Sequence, residues 1–175
     1  MTFFQPNPSN SSASIRTLAR GGIVAAIYVL LTLIFQPISF GAIQFRVAEA
    51  LMLLPVVMVD AVPGLFIGCL LANLLGGGVW FDVVLGSLAT LLAAIAVRRL
   101  REHPVFAAAA PVIFNGLIVG PVVYFAYVHA PGSPISIATL LFNVATVALG
   151  ELAVCYTLGL ILLQALKKVP GRLLN

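Results

Sequence analysis

Long runs of apolar residues alternate along the chain with short breaks that contain polar residues, glycine or proline. A helix needs about 20 apolar residues to cross the hydrocarbon core of a bilayer. The pattern predicts six membrane spans, at residues 17–36, 45–59, 64–75, 82–98, 105–128 and 135–166. The second and third spans are short, and the sixth is long enough to project beyond the bilayer.

The breaks between these runs define the expected turns. Pro37 ends the first run, and a loop is expected at residues 38–44. Proline removes a backbone donor and clashes with the preceding turn of a helix, so Pro111 and Pro121 predict kinks in the fifth span.

Composition supports the membrane interpretation. Hydrophobic residues make up 62% of the chain and charged residues only 8%, whereas a soluble domain carries about 25% charged residues. We therefore predict an all-α integral membrane protein with one six-helix domain at residues 15–169. Flexible tails are expected at residues 1–14 and 170–175.

The basic residues set the predicted orientation. All but one of the 9 lysines and arginines fall on the same face of a six-span topology, namely Arg16, Arg20, Arg98, Arg99, Arg101, Lys167, Lys168 and Arg172. The positive-inside rule makes that face cytoplasmic, which predicts a multi-pass protein of the cell membrane with both termini in the cytoplasm. Basic residues at the ends of apolar runs do not indicate nucleic-acid binding. The exception is Arg46.

Polar side chains inside a membrane are costly, so each needs a partner or a role. Those of the predicted spans fall mostly in the outer half, which suggests an outward-facing pocket for a small polar molecule, lined by spans two to six. The candidate binding residues are Arg46, Glu49, Asn73, Trp80, Asp82, Asn115, Asn143 and Glu151.

Each candidate also has an interpretation without a ligand. Arg46 and Glu49 lie three positions apart and could form an ion pair at a helix end. Glu151 could bind a ligand through two N–H groups, pair with Asn115, or relay protons in a secondary carrier.

The remaining candidates have similar alternatives. The three asparagines could hold helices together. Trp80 could belong to the interfacial aromatic belt or stack over a flat ring, and Asp82 could cap the fourth span or meet a cation. The four tyrosines are interpreted as belt or packing residues, and Cys69 and Cys155 as packing thiols.

Small residues in the first span form a possible docking face for another helix. Gly21 and Ala25, and likewise Gly22 and Ala26, lie four positions apart, a spacing that permits close approach of helix backbones. Packing against the protein's own helices is the alternative.

Motifs for catalysis are absent from the sequence. It contains neither the GxxxxGK[ST] phosphate loop nor HExxH, GxSxG or cysteine–histidine metal patterns. We expect no enzymatic activity, no cofactor and no metal. Energy for uphill transport would have to come from an ion gradient or from partner proteins.

Several stretches resemble the QueT family. They are Gln44–Leu51 (QFRVAEAL), Leu54-Pro55, Pro63–Cys69 (PGLFIGC), Ala72-Asn73 and Asp82–Ala93 (DVVLGSLATLLA), with a weaker likeness at Asn115-Gly116, Gly120-Pro121 and Gly150-Glu151. The resemblance extends from about residue 15 to residue 167 and is most specific over residues 44–93.

The resemblance implies a substrate-binding S component of an energy-coupling factor importer. The implied partners are a T component, which would contact small residues of the first span, and two cytoplasmic ATPases, which would supply ATP hydrolysis. The implied substrate is a queuosine precursor, a 7-deazaguanine such as the 7-aminomethyl form. Its donor edge suits Glu151, its flat ring suits Trp80, and its cation suits Glu49 or Asp82.

Three alternatives remain open from the sequence. The chain could be an S component for another small vitamin, a stand-alone carrier with Glu151 as its proton site, or a structural membrane protein without a ligand.

Overall fold

The computed structural model describes residues 8–39 and 45–169, with side chains from residue 15 onward except that of Ile38. Within these ranges the chain forms helices and no strand. Six helical segments carry the fold: α1 (Pro8–Ile34), α2 (Val47–Val56, a 3-10 helix), α3 (Ala61–Leu75), α4 (80–99), α5 (Pro104–Val128) and α6 (Ile137–Lys167). A short helical turn, Gln36–Ser39, follows α1.

Helix α1 begins earlier than the sequence pattern predicts. Its backbone is helical from Pro8, within the segment 1–14 that was expected to be a flexible tail. Proline is well suited to the first turn because that turn has no intrahelical acceptor for its missing N–H. Residues 1–7, most of the predicted loop 38–44, and the predicted tail 170–175 with Arg172 lie outside the described residues.

In the part of the chain that the structure describes, three helices are long and apolar enough to cross a membrane: Ile15–Ile34 of α1, and all of α5 and α6. Helix α6 has 31 residues and is about 46 Å long at 1.5 Å per residue, whereas the hydrocarbon core is about 30 Å thick. The sixth segment is therefore as long as predicted. Helices α2 and α3 are apolar but short, also as predicted.

Contacts between helix ends define one end of the molecule, which we name the inner end because the basic residues Arg20 and Arg98 lie there. Arg20 of α1 lies 3.7 Å from Asp60, which precedes α3. Arg98, near the end of α4, donates to the carbonyl oxygens of Pro55 and Val56 at 3.0 and 3.3 Å. These are the last carbonyls of α2 and lack intrahelical partners. Arg98 thus caps a helix that the sequence did not link to it.

The opposite, outer end is defined in the same way. Gln36 donates to the Gly76 carbonyl oxygen between α3 and α4 at 3.3 Å. The Tyr127 hydroxyl at the end of α5 accepts from the Val79 backbone N–H at 3.3 Å, just before α4. The Tyr124 hydroxyl accepts from the Ser136 N–H at 2.8 Å, just before α6. Consecutive helices therefore alternate in direction between the two ends.

Helix α5 is irregular where prolines interrupt it. The regular helix is interrupted by a turn at Ala108, three residues before Pro111, and widens to a π-helical turn at Asn115–Val119, just before Pro121. Each proline removes one backbone donor, so the ladder must adjust in the turn before it. The irregularities lie just before the two prolines at which the sequence predicts kinks.

Small residues bring α1 and α3 into close contact. A Cβ atom on Gly64 would lie 2.5 Å from the Gly21 carbonyl oxygen, and one on Gly68 would lie 3.0 Å from the Ala25 Cα. Gly21 and Ala25 are buried in this interface, whereas Gly22 and Ala26 are exposed. The first register is therefore internal packing, and only the second is available to a partner.

Candidate substrate-binding site

Seven of the eight candidate binding residues are buried, although they come from separate segments. Their exposed fractions run from 0% for Glu49 and Asp82 to 6% for Glu151. Trp80 differs, because 66% of its surface is exposed. It stacks on Phe81 and lines a cavity of about 600 Å³ between α4 and α5. Trp80 is therefore exposed beside this cavity and not buried with the other seven candidates, and its role as a stacking lid stays a prediction.

The deeper part of the polar centre is a carboxylate pair, Glu49 of α2 and Glu151 of α6. Asn115 of α5 lies between them, with its side-chain nitrogen 2.7 Å from a Glu151 carboxylate oxygen and 3.5 Å from one of Glu49. The Tyr28 hydroxyl of α1 also donates to Glu49. Four helices therefore meet at two acidic groups.

The outer part of the centre is an ion pair that the sequence did not predict. Arg46 lies 3.5 Å from Asp82, and both side chains are almost completely buried. The sequence suggested Arg46–Glu49 as one possible pair, but Arg46 precedes α2 with an extended backbone. The ion pair that the described residues show for Arg46 is with Asp82 of α4.

Asp82 lies in a local distortion of α4. Residues Asp82–Gly86 form a π-helical turn, and the Asp82 side chain makes no capping bond there because α4 already begins two residues earlier. Asn73 of α3 donates to the Asp82 backbone carbonyl oxygen at 3.2 Å. Of the two roles considered for Asp82, the structure shows contact with a cation, and that cation is the chain's own Arg46.

Asn143 is buried but separate from this network. Its nitrogen donates to the Thr139 carbonyl oxygen one turn earlier in α6, at 2.8 Å. Within the described residues its side-chain oxygen has no hydrogen-bond partner, and the same is true of the Asn115 side-chain oxygen. Asn143 therefore does not join α6 to another helix in the way the sequence suggested.

Two contributors escaped the sequence interpretation. Tyr28 was taken as a belt or packing residue, but it is 1% exposed and bonded to Glu49. It shares a helix face with the buried Gly21, Val24 and Ala25, and that spacing was a usable signal. Cys155 lies one turn after Glu151, with its sulfur 3.8 Å from the carboxylate.

Both cysteines are free and buried, which agrees with packing thiols. Among the described residues, no group of three or more histidine, cysteine, aspartate or glutamate side chains is placed to hold a metal ion. The polar centre instead offers several hydrogen-bond acceptors and an excess of negative charge.

The apolar helices and the buried polar centre define a helical membrane protein. A family model described as "QueT transporter" matches residues 18–168, so the chain belongs to the QueT transporter family. A relative named "Queuosine precursor transporter QueT", from Lactococcus lactis subsp. cremoris (strain MG1363), is 42% identical over 72 residues. This alignment covers 40% of the chain and 42% of the relative. No solved structure matches the chain.

Proposed function

We propose that the chain is the substrate-binding S component of an energy-coupling factor importer, and that it binds an aminomethyl-bearing 7-deazaguanine. The name of the Lactococcus relative supports a queuosine precursor as the substrate. The observation that carries the proposal is the charge of the buried centre. It combines three carboxylates, those of Glu49, Asp82 and Glu151, with one guanidinium, that of Arg46.

A buried charge is costly unless an opposite charge compensates for it. Asp82 has Arg46 at 3.5 Å, whereas Glu49 and Glu151 share the neutral Asn115. A cationic ligand supplies the missing charge. In the proposed complex Glu49 binds the aminomethyl cation, and Glu151 accepts the N1–H and 2-amino donors of the ring.

The outer ion pair gives this site an access point. Arg46 directly precedes α2, and Asp82 lies in the first turns of α4, so their contact closes the outer side of the carboxylate pair. We propose that the ligand enters from this side and that the pair separates as it does. Basic residues at the inner end, including Arg20 and Arg98, support a cytoplasmic inner end and cytoplasmic termini.

Binding by the purified chain tests the substrate. Mass spectrometry of ligand released from the protein, followed by calorimetric titration with 7-aminomethyl-7-deazaguanine, should give tight 1:1 binding without ATP. A different small vitamin in the released fraction would show that the proposed substrate is wrong. Absence of any ligand and of titratable binding would favour a purely structural protein.

The proposed partners are a T component and two cytoplasmic ATPases, and the candidate docking surface lies on α1. Gly22 and Ala26 are exposed, and Gly22 borders a groove of about 580 Å³ between α1 and α3. Small exposed residues beside a groove allow another helix to approach closely.

The substitution Ala26→Leu should abolish co-purification with the T component and reduce uptake to background, while ligand binding stays at the wild-type level. Ala145→Leu, at an exposed alanine of α6, is the matched control and should retain both. Uptake by the chain alone in vesicles, abolished by an uncoupler, would instead show a stand-alone proton-coupled carrier.

A further inference from the structure

The carboxylate pair shares a single donor side chain. The Asn115 nitrogen lies 2.7 Å from Glu151 and 3.5 Å from Glu49, so one neutral amide holds both acidic groups close together. Like charges in a medium of low dielectric constant repel strongly, and two neighbouring carboxylates cannot both ionise without compensation.

The groups around the pair supply little compensation. The titratable and charged groups around the carboxylate pair come from five helices. They are Tyr28 of α1, Arg46 at the start of α2, Cys69 of α3, Asp82 of α4, which contacts Arg46, and Cys155 of α6. The residue of α5 that contacts the pair is Asn115, whose side chain does not ionise. Arg46 is the one cation that faces the pair from the described residues, and it lies against Asp82.

We infer that Glu49 and Glu151 share one proton in the ligand-free protein, and that a cationic ligand displaces this proton when it binds. The inference rests on the proposed function, because it requires a ligand with one positive charge. The ligand's ammonium group keeps its own protons. The displaced proton leaves the carboxyl group and passes to the solvent.

The charges balance in this exchange. Before binding, the pair carries one negative charge, and Arg46 and Asp82 cancel each other. After binding, the two carboxylates carry two negative charges and the ligand one positive charge. The net charge of the buried centre is therefore the same in both states, so the site never holds two uncompensated carboxylates.

Calorimetry at one pH in two buffers of different ionisation enthalpy measures the proton directly. Titration of the full-length protein with 7-aminomethyl-7-deazaguanine should release about one proton per ligand. Because release of a proton couples binding to pH, affinity should rise about tenfold per pH unit over the range in which the pair is protonated. The ring analogue with a neutral nitrile in place of the aminomethyl group should release none.

Two variants locate the proton. Glu151→Gln removes one member of the pair, so the variant has no shared proton to lose. Any binding that remains should release roughly zero protons per ligand. Glu102→Gln changes an exposed acid outside the cluster and should behave as the wild type. Tight binding of the aminomethyl compound without proton release would overturn this inference and leave the proposed function intact.

A second readout needs no ligand. Infrared difference spectra between the wild type and Glu151→Gln should show the carbonyl stretch of a protonated carboxyl group in the wild type alone. Absence of this band would overturn the shared proton even if binding were never measured. Presence of the band with no binding of the aminomethyl compound would instead refute the proposed function and the displacement step.

Discussion

Two parts of the same buried centre handle charge differently. In the outer ion pair, Arg46 lies 3.5 Å from Asp82, so one positive charge meets one negative charge. In the carboxylate pair, Glu49 and Glu151 meet across Asn115, a neutral residue. Both parts are buried to a similar degree, so burial does not account for the difference.

The comparison separates a structural role from a binding role. A matched ion pair is complete within the protein, and the loss of either partner leaves a buried charge uncompensated. An unmatched pair is complete only when a proton or a cationic ligand joins it. We therefore expect substitutions in the outer ion pair to affect mainly stability, and those in the carboxylate pair to affect mainly affinity.

The largest effect is expected at the outer ion pair. Asp82→Asn removes the negative charge beside the buried Arg46 guanidinium, and loss of one partner of a buried pair costs about 3–5 kcal/mol of stability. Chemical unfolding in detergent micelles measures this loss. The double variant Arg46→Gln/Asp82→Asn should recover part of it because no buried charge remains. A single variant as stable as the wild type would contradict the structural role.

The carboxylate pair should show the opposite behaviour. Glu151→Gln removes a charged acceptor, and each charge-assisted hydrogen bond contributes about 1.5–3 kcal/mol. Affinity for 7-aminomethyl-7-deazaguanine should therefore fall roughly 10- to 150-fold for each bond lost. Stability should stay about equal because the ligand-free pair carries one negative charge, which Glu49 alone can hold in the variant. Loss of stability with unchanged affinity would show that Glu151 is structural.

The smallest effect concerns Tyr28, which supports only one member of the pair. Tyr28→Phe removes the hydroxyl that donates to Glu49, and a hydrogen bond of this kind contributes about 1 kcal/mol. A double-mutant cycle with Glu49→Gln, read by unfolding free energy, isolates this interaction from the packing of the ring. Purely additive effects would show that the hydroxyl and the carboxylate do not interact.

The sequence by itself determined the helical class, the approximate positions of the six segments and seven of the buried polar residues. Apolar runs and their proline and glycine breaks are local features, and the cost of polar groups in a membrane marks Glu49, Asn115 and Glu151 without coordinates. The basic residues Arg20 and Arg98 were likewise assigned to one side, and both lie at the inner end.

Only the tertiary structure decided which residues meet. The sequence left Arg46 with Glu49 as a possible partner, three positions away, and only the structure shows the ion pair between Arg46 and Asp82 of α4. It left two registers open on α1, and the close approach of Gly64 and Gly68 assigned Gly21 and Ala25 to internal packing. Trp80 satisfied the local pattern for a lid, and the structure shows it exposed and lining a cavity between α4 and α5. Pairing between helices depends on their rotation and separation, and the side-chain pattern of one segment does not specify either.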